Sequence, residues 1–182
     1  MAFTFRAELR FALSLTLGAF AFAPLVQAAP APPLAVSPQL IPLPLNPVVP
    51  AGQRLCTTKT PSGLGYSVLR AASGPKPGSG DVVLINYIGY LAANGMTFDQ
   101  AMSSPLPVGQ VIPGFGEGMK LISKGGIYRL CVPAALGYGT TATGPIPANS
   151  ALVFQVEVID FRSLAEIEAA QQARSQAAKP AQ

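Results

Sequence analysis

Residues Asp81 to Leu91 read DVVLINYIGYL. One parity carries Val83, Ile85, Tyr87, Gly89 and Leu91, a period of two that predicts a β-strand with this set turned toward a core. Asn94-Gly95 follows as a hairpin turn signal and leads into a second extended segment, Met96 to Asp99. Further along, Ile127 to Val132 is a short strand closed by Pro133, and Leu152 to Ile159 alternates with Leu152, Phe154, Val156 and Val158 on one face. Tyr66 to Arg70, YSVLR, is a further strand candidate. These segments predict an antiparallel sheet with one face buried.

One helix is expected between the strands. Pro113 suits a first helical turn, and Phe115, Met119 and Ile122 fall at helical spacing. Gly116 and Gly118 are poor helix formers, so this helix must be short and held by packing. A single helix against the concave face of a twisted antiparallel sheet is an α+β plan.

Composition removes several kinds of chemistry. The 182 residues include no His, no Trp and two Cys, so zinc sites and His-dependent nucleophiles cannot be built within one chain. The excess of 12 basic over 8 acidic residues is scattered rather than clustered, which argues against a nucleic-acid surface. Gly114-Phe115-Gly116-Glu117-Gly118 lacks the Gly-Lys-Ser/Thr ending and the spacing of nucleotide loops. Asp99, Glu117 and Glu157 are isolated carboxylates with no paired acid-base spacing.

The ends explain much of the 49% hydrophobic content. Arg6 and Arg10 precede an uncharged apolar run from Phe11 to Ala23, and Val26-Gln27-Ala28 offers small residues at a cleavage site. That pattern predicts a cleavable export signal over residues 1–28. The run is shorter than the roughly 20 residues a membrane span needs, so no stable membrane insertion is expected after cleavage. Residues 29–53 carry eight prolines and read as an extended linker. A domain follows over 54–162, and 163–182 reads as a short helix and a frayed tail in which Leu164 and Ile167 could seat the helix.

Aromatic and proline placement carries the functional signal. Tyr87 is on the inward parity of its strand, Phe98 precedes Asp99, and VIPGF spans Val111 to Phe115. Gly137-Tyr138-Gly139 forms a small loop, and Ile146-Pro147 precedes the strand bearing Phe154. With SGLGY at 62–66, LINYIGYL at 84–91, GMTFD at 95–99, GQVIPGFGEGM at 109–119, YRLCVPAALGYG at 128–139 and IPANSALVFQVEVIDF at 146–161, the chain resembles the FKBP-type peptidyl-prolyl cis-trans isomerases. The resemblance covers Ser62 to Arg162 and preserves the family's order and spacing.

That resemblance implies a twisted half-barrel wrapped around one short helix. It also implies rotamase activity on X–Pro bonds of exported, folding proteins. Tyr87, Phe98, Asp99, Ile112 and Tyr138 match catalytic positions, and Val111, Phe115, Ile146 and Phe154 match substrate-binding positions. Phe115 would floor the pocket, while the Ile112 N–H and Tyr138 hydroxyl would donate to the bound peptide. Asp99 would lie at the rim. No metal or cofactor is implied. The partners implied are proline-containing polypeptides and macrolide inhibitors.

Gln100-Ala101 replaces the usual Ser-Ser after Asp99, no basic residue lies between Asp99 and Pro105, and Pro105 to Val108 lacks the Phe common in relatives. Pro145 replaces a commonly β-branched neighbour of Ile146. Weaker macrolide affinity is the expected consequence. Tyr138 reaches Ile146 too directly for a chaperone-like insertion, and the Pro-rich segment cannot form a helical dimerisation arm, so a monomer in the periplasm or medium is expected. Cys56 and Cys131 either bridge, tethering the N-terminal extension to the sheet, or remain independent thiols. The competing readings are a non-catalytic proline-peptide or holdase module on the same fold, and a structural envelope spacer.

Overall fold

The computed structural model describes residues 35–43 and 48–177; the expected leader and the last five residues lie outside them. Six antiparallel strands form one sheet: β1 (Thr58–Lys59), β2 (Gly65–Arg70), β3 (Asp81–Leu91), β4 (Thr97–Pro107), β5 (Ile127–Val132) and β6 (Leu152–Ser163). Their order across the sheet is β1-β2-β5-β6-β3-β4. Helix α1 (Pro113–Met119) opens on its proline, and α2 (Leu164–Ala177) follows β6 directly.

The inward parity behaves as its pattern predicts. Val83, Ile85, Leu91, Leu152, Phe154, Val156 and Val158 join Phe115, Met119, Ile122 and Leu130 in one buried cluster beneath α1. The glycines of α1 let it approach the sheet. A Cβ on Gly114 would meet Val132 at 2.7 Å, and one on Gly118 would collide with Leu130. Ile122 is fully buried although the helix ends at Met119.

The outward face departs from the expectation of a sheet buried on one side only. Ile88, Tyr90 and Val153 point away from the main core, yet they are buried against Ile41 and Val49 in a second apolar cluster. The segment expected to be an extended linker therefore packs on the sheet where it is described. Its prolines prevent regular ladders, so side chains supply the missing partners. Gln155 Nε2 donates to Ile41 O at 2.9 Å, and the Ile41 N–H donates to Gln155 Oε1 at 2.8 Å. Tyr90 donates to Gln53 O at 2.7 Å. The buried Arg129 guanidinium donates to Leu55 O and Gln39 O. Cys56 and Cys131 form a disulfide that joins the arm to β5.

Two elements are longer than the sequence suggests. Strand β4 continues to Pro107 because it is the sheet edge, where the missing proline N–H costs no ladder bond. Helix α2 has fourteen residues, none of them buried. Ser163 and Glu166 form its capping box: the Ser163 N–H donates to Glu166 Oε2 at 2.8 Å, and the Glu166 N–H donates to Ser163 Oγ at 3.2 Å. Among the described residues, no helix is long and apolar enough to cross a membrane.

Candidate active site

Strands β3, β4 and β6 and helix α1 each contribute one ring to a continuous aromatic cluster. Tyr87 meets Phe115 edge-on at 6.0 Å between centroids, Phe115 meets Phe154 at 4.6 Å, and Phe154 meets Phe98 edge-on at 5.6 Å. Phe115 and Phe154 are almost completely buried and form the floor, with Ile146 buried beside the same core. Tyr87, Phe98, Val111 and Ile112 are only partly buried, as walls of an open pocket would be. Edge-to-face pairs add about 0.5–1.5 kcal/mol each beyond their burial, so the rings hold one another in place.

A bulge sets the orientation of Phe98. Gly89 pairs with Asp99 while Tyr90 pairs with Thr97, leaving Phe98 as the extra residue between them. Bulges of this kind re-aim side chains. Here the Phe98 ring lies over Gly89, where an added Cβ would be 2.7 Å from that ring and 2.8 Å from Phe154. Gly89 is a site residue that the sequence reading had placed only as part of a strand. Its signal was available: an interior strand glycine marks close approach of another group.

Asp99 lies at the exposed rim and accepts a 2.6 Å hydrogen bond from the Tyr87 hydroxyl. Burial first, and then this bond and the nearby carboxylate, push the Tyr87 phenol well above the ordinary tyrosine range. Tyr87 therefore remains a neutral donor under any physiological condition. Tyr138 is 38% exposed in the turn after β5. Its loop is pinned by the Gly139 N–H donating to Ala134 O at 2.9 Å and the Asn149 N–H donating to Gly139 O at 2.8 Å. The Ile112 carbonyl accepts from the Phe115 and Gly116 N–H groups at the start of α1. Its own N–H has no acceptor among the described residues. Thr143 and Ile146 exchange two 2.9 Å backbone bonds, closing the turn that delivers Ile146.

Tyr87, Phe98, Asp99, Phe115 and Phe154 thus meet through ring contacts and a hydrogen bond, and Val111, Ile112 and Ile146 pack around the same core. Cys56 and Cys131 belong to the opposite face of the sheet, under the arm.

The profile of the FKBP-type peptidyl-prolyl cis-trans isomerases matches residues 74–159. Residues 74–159 form a domain of that family. FkpA of Escherichia coli K12 is 40% identical over 124 residues, which cover 66% of this chain and 46% of FkpA. The outer membrane protein MIP of Legionella longbeachae is 38% identical over 110 residues, 58% of this chain and 47% of MIP. The chain therefore spans less than half the length of either relative. Among solved structures, FkpA from Escherichia coli superposes with a TM-score of 0.56 at 38% identity, covering 58% of this chain and 51% of FkpA. AtFKBP13 superposes with a TM-score of 0.51 at 29% identity, covering 56% of this chain and 95% of AtFKBP13. The open antiparallel sheet of six strands in this chain matches these FKBP-fold structures.

Proposed function

We propose that this FKBP-type domain accelerates cis–trans rotation about X–Pro peptide bonds of exported polypeptides. The observation that carries the reading is the joined ring cluster of Tyr87, Phe115, Phe154 and Phe98. Amide resonance sets a rotation barrier of about 20 kcal/mol. At the twisted geometry resonance is lost, the carbonyl is less polar, and an apolar aromatic pocket suits it better than the hydrated planar amide. That difference in binding lowers the barrier, by tenfold in rate for every ~1.4 kcal/mol.

In this mechanism the proline ring rests on Phe115 and Phe154, walled by Tyr87, Phe98, Val111 and Ile146. The Ile112 N–H and Tyr138 hydroxyl hold the flanking carbonyls, so the chain rotates about one bond rather than tumbling. Asp99 fixes the Tyr87 hydroxyl and offers an acceptor at the rim. No proton changes owner. Because Tyr87 stays protonated and the chain has no His, kcat/KM should be flat between about pH 6 and 9.

Exchange NMR on a short Leu-Pro peptide tests the reading. Wild type should speed exchange, and Phe98→Ala or Tyr138→Phe should slow the catalysed rate. Wild-type exchange no faster than buffer would sink the enzyme reading in favour of a binding module. Export to the periplasm or medium rests on the basic, apolar and small-residue pattern of residues 1–28. A mature N-terminus other than Ala29, or retention in the cytoplasm, would count against it.

A further inference from the structure

The turn that launches Phe98 and Asp99 is gripped by the proline-rich arm. Arg54 Nη1 donates to Ala92 O at 3.1 Å and to Ala93 O at 2.7 Å. The Val49 N–H donates to Gly95 O at 2.9 Å, and Val48 bridges Met96. The fit is close: Gly95 has φ +77°, and a Cβ there would collide with the Val49 carbonyl. Within the turn, the Gly95 N–H donates to Leu91 O and the Leu91 N–H donates to Met96 O. Phe98 follows Met96 by two residues.

Strand β4 needs such a hold. As the edge strand it pairs with β3 alone, and two irregularities interrupt that pairing. One of them is the bulge at Phe98, so the ladder does not fix the ring's direction at the point where the site requires it. Strand β3, by contrast, is held by β6 along its whole length, so the unsupported side of the turn is β4. Val49 adds a second anchor, fully buried against Ile88, Tyr90 and Val153, which flank the site residues Gly89 and Phe154 in sequence.

We propose that Arg54 and Val49 are positioning residues of the isomerase site, clasping the β3–β4 turn so that Phe98 and Asp99 keep their places over Gly89. This rests on the isomerase reading for its kinetic consequence but not for its geometric one. The arm is then part of the working domain and not a spacer.

The test uses the full chain with labelled phenylalanine rings, below the melting transition of every variant. Arg54→Met and Val49→Ala should shift the Phe98 ring resonances and lower kcat/KM by roughly threefold to tenfold, as displacement of a wall group does. Arg54→Lys should restore part of both. Gln155→Leu, which loosens the arm at Ile41, far along the segment from the turn, should leave both unchanged. Unmoved Phe98 rings in Arg54→Met and Val49→Ala overturn the proposal, as does an equal displacement by Gln155→Leu. If Arg54→Met does not fold, Val49→Ala and its ring resonances decide. A wild type without isomerase activity removes the enzyme reading, while the ring resonances still judge the clasp.

Discussion

A methyl group added at Gly89 would lie 2.7 Å from the Phe98 ring and 2.8 Å from the Phe154 ring. Phe98 packs edge-on against Phe154, which is itself packed on Phe115, so the rings cannot yield without disturbing the cluster. Gly89→Ala should therefore destabilise by about 1–3 kcal/mol, as core overpacking does, and reduce isomerase activity beyond that of a control of equal stability. Denaturant unfolding and peptide exchange measure the two effects; an unchanged midpoint would refute the steric argument. Tyr90, one residue on, tests the outer face. It is fully buried, and burial pushes its phenol up to about 12 from an ordinary 10.0, despite the opposing pull of Arg129. A raised folded-state pKa contributes stability that is intact below the unfolded value and is lost as pH rises toward the folded one. The absorbance difference between wild type and Tyr90→Phe should thus be flat through pH 10, and alkaline stability should fall less steeply in Tyr90→Phe. Ionisation of Tyr90 near pH 10 in the folded protein would show that the arm does not cover it.

At the scale of elements, α1 sets helix propensity against packing. Gly118→Ala gains up to about 1 kcal/mol of propensity. It also drives a Cβ into the fully buried Leu130, where overpacking costs about 1–3 kcal/mol. The second effect should win, so Gly118→Ala should lower the melting temperature despite improving the helix; a rise would mean that Leu130 has room to turn. The two inward stripes on β3 and β6 were legible because a period of two needs no knowledge of neighbours. The bulge at Phe98 was not, since it arises from the mismatch between two strands and leaves no mark on either. The extent of β4 was obscured by Pro105 and Pro107, which exclude a central strand but not an edge. In the site, the rings were recognisable from their motifs, whereas Gly89 signalled only that some group approaches the strand closely, not which one.

For the molecule as a whole, the arm changes how the domain is bounded. Proline density argues against long strands and helices but says nothing about docking, which depends on apolar side chains between the prolines. Ile41 and Val49 are those side chains, and Ile88, Tyr90 and Val153 are the outward-facing apolar residues that needed covering. The Cys56–Cys131 disulfide closes the arrangement across a sequence separation of 75 residues. A loop of that length removes enough freedom from the unfolded chain to be worth about 4 kcal/mol in the chain-entropy account. Reduction should lower the denaturant midpoint accordingly and raise the slope, because the unfolded chain without the bridge exposes more surface. The Cys56→Ala/Cys131→Ala protein should match the reduced wild type and ignore added dithiothreitol. Should reduction instead leave the midpoint where it was, the bridge would not be closing this loop, and the side-chain bonds of Gln155, Tyr90 and Arg129 would carry the arm's attachment by themselves.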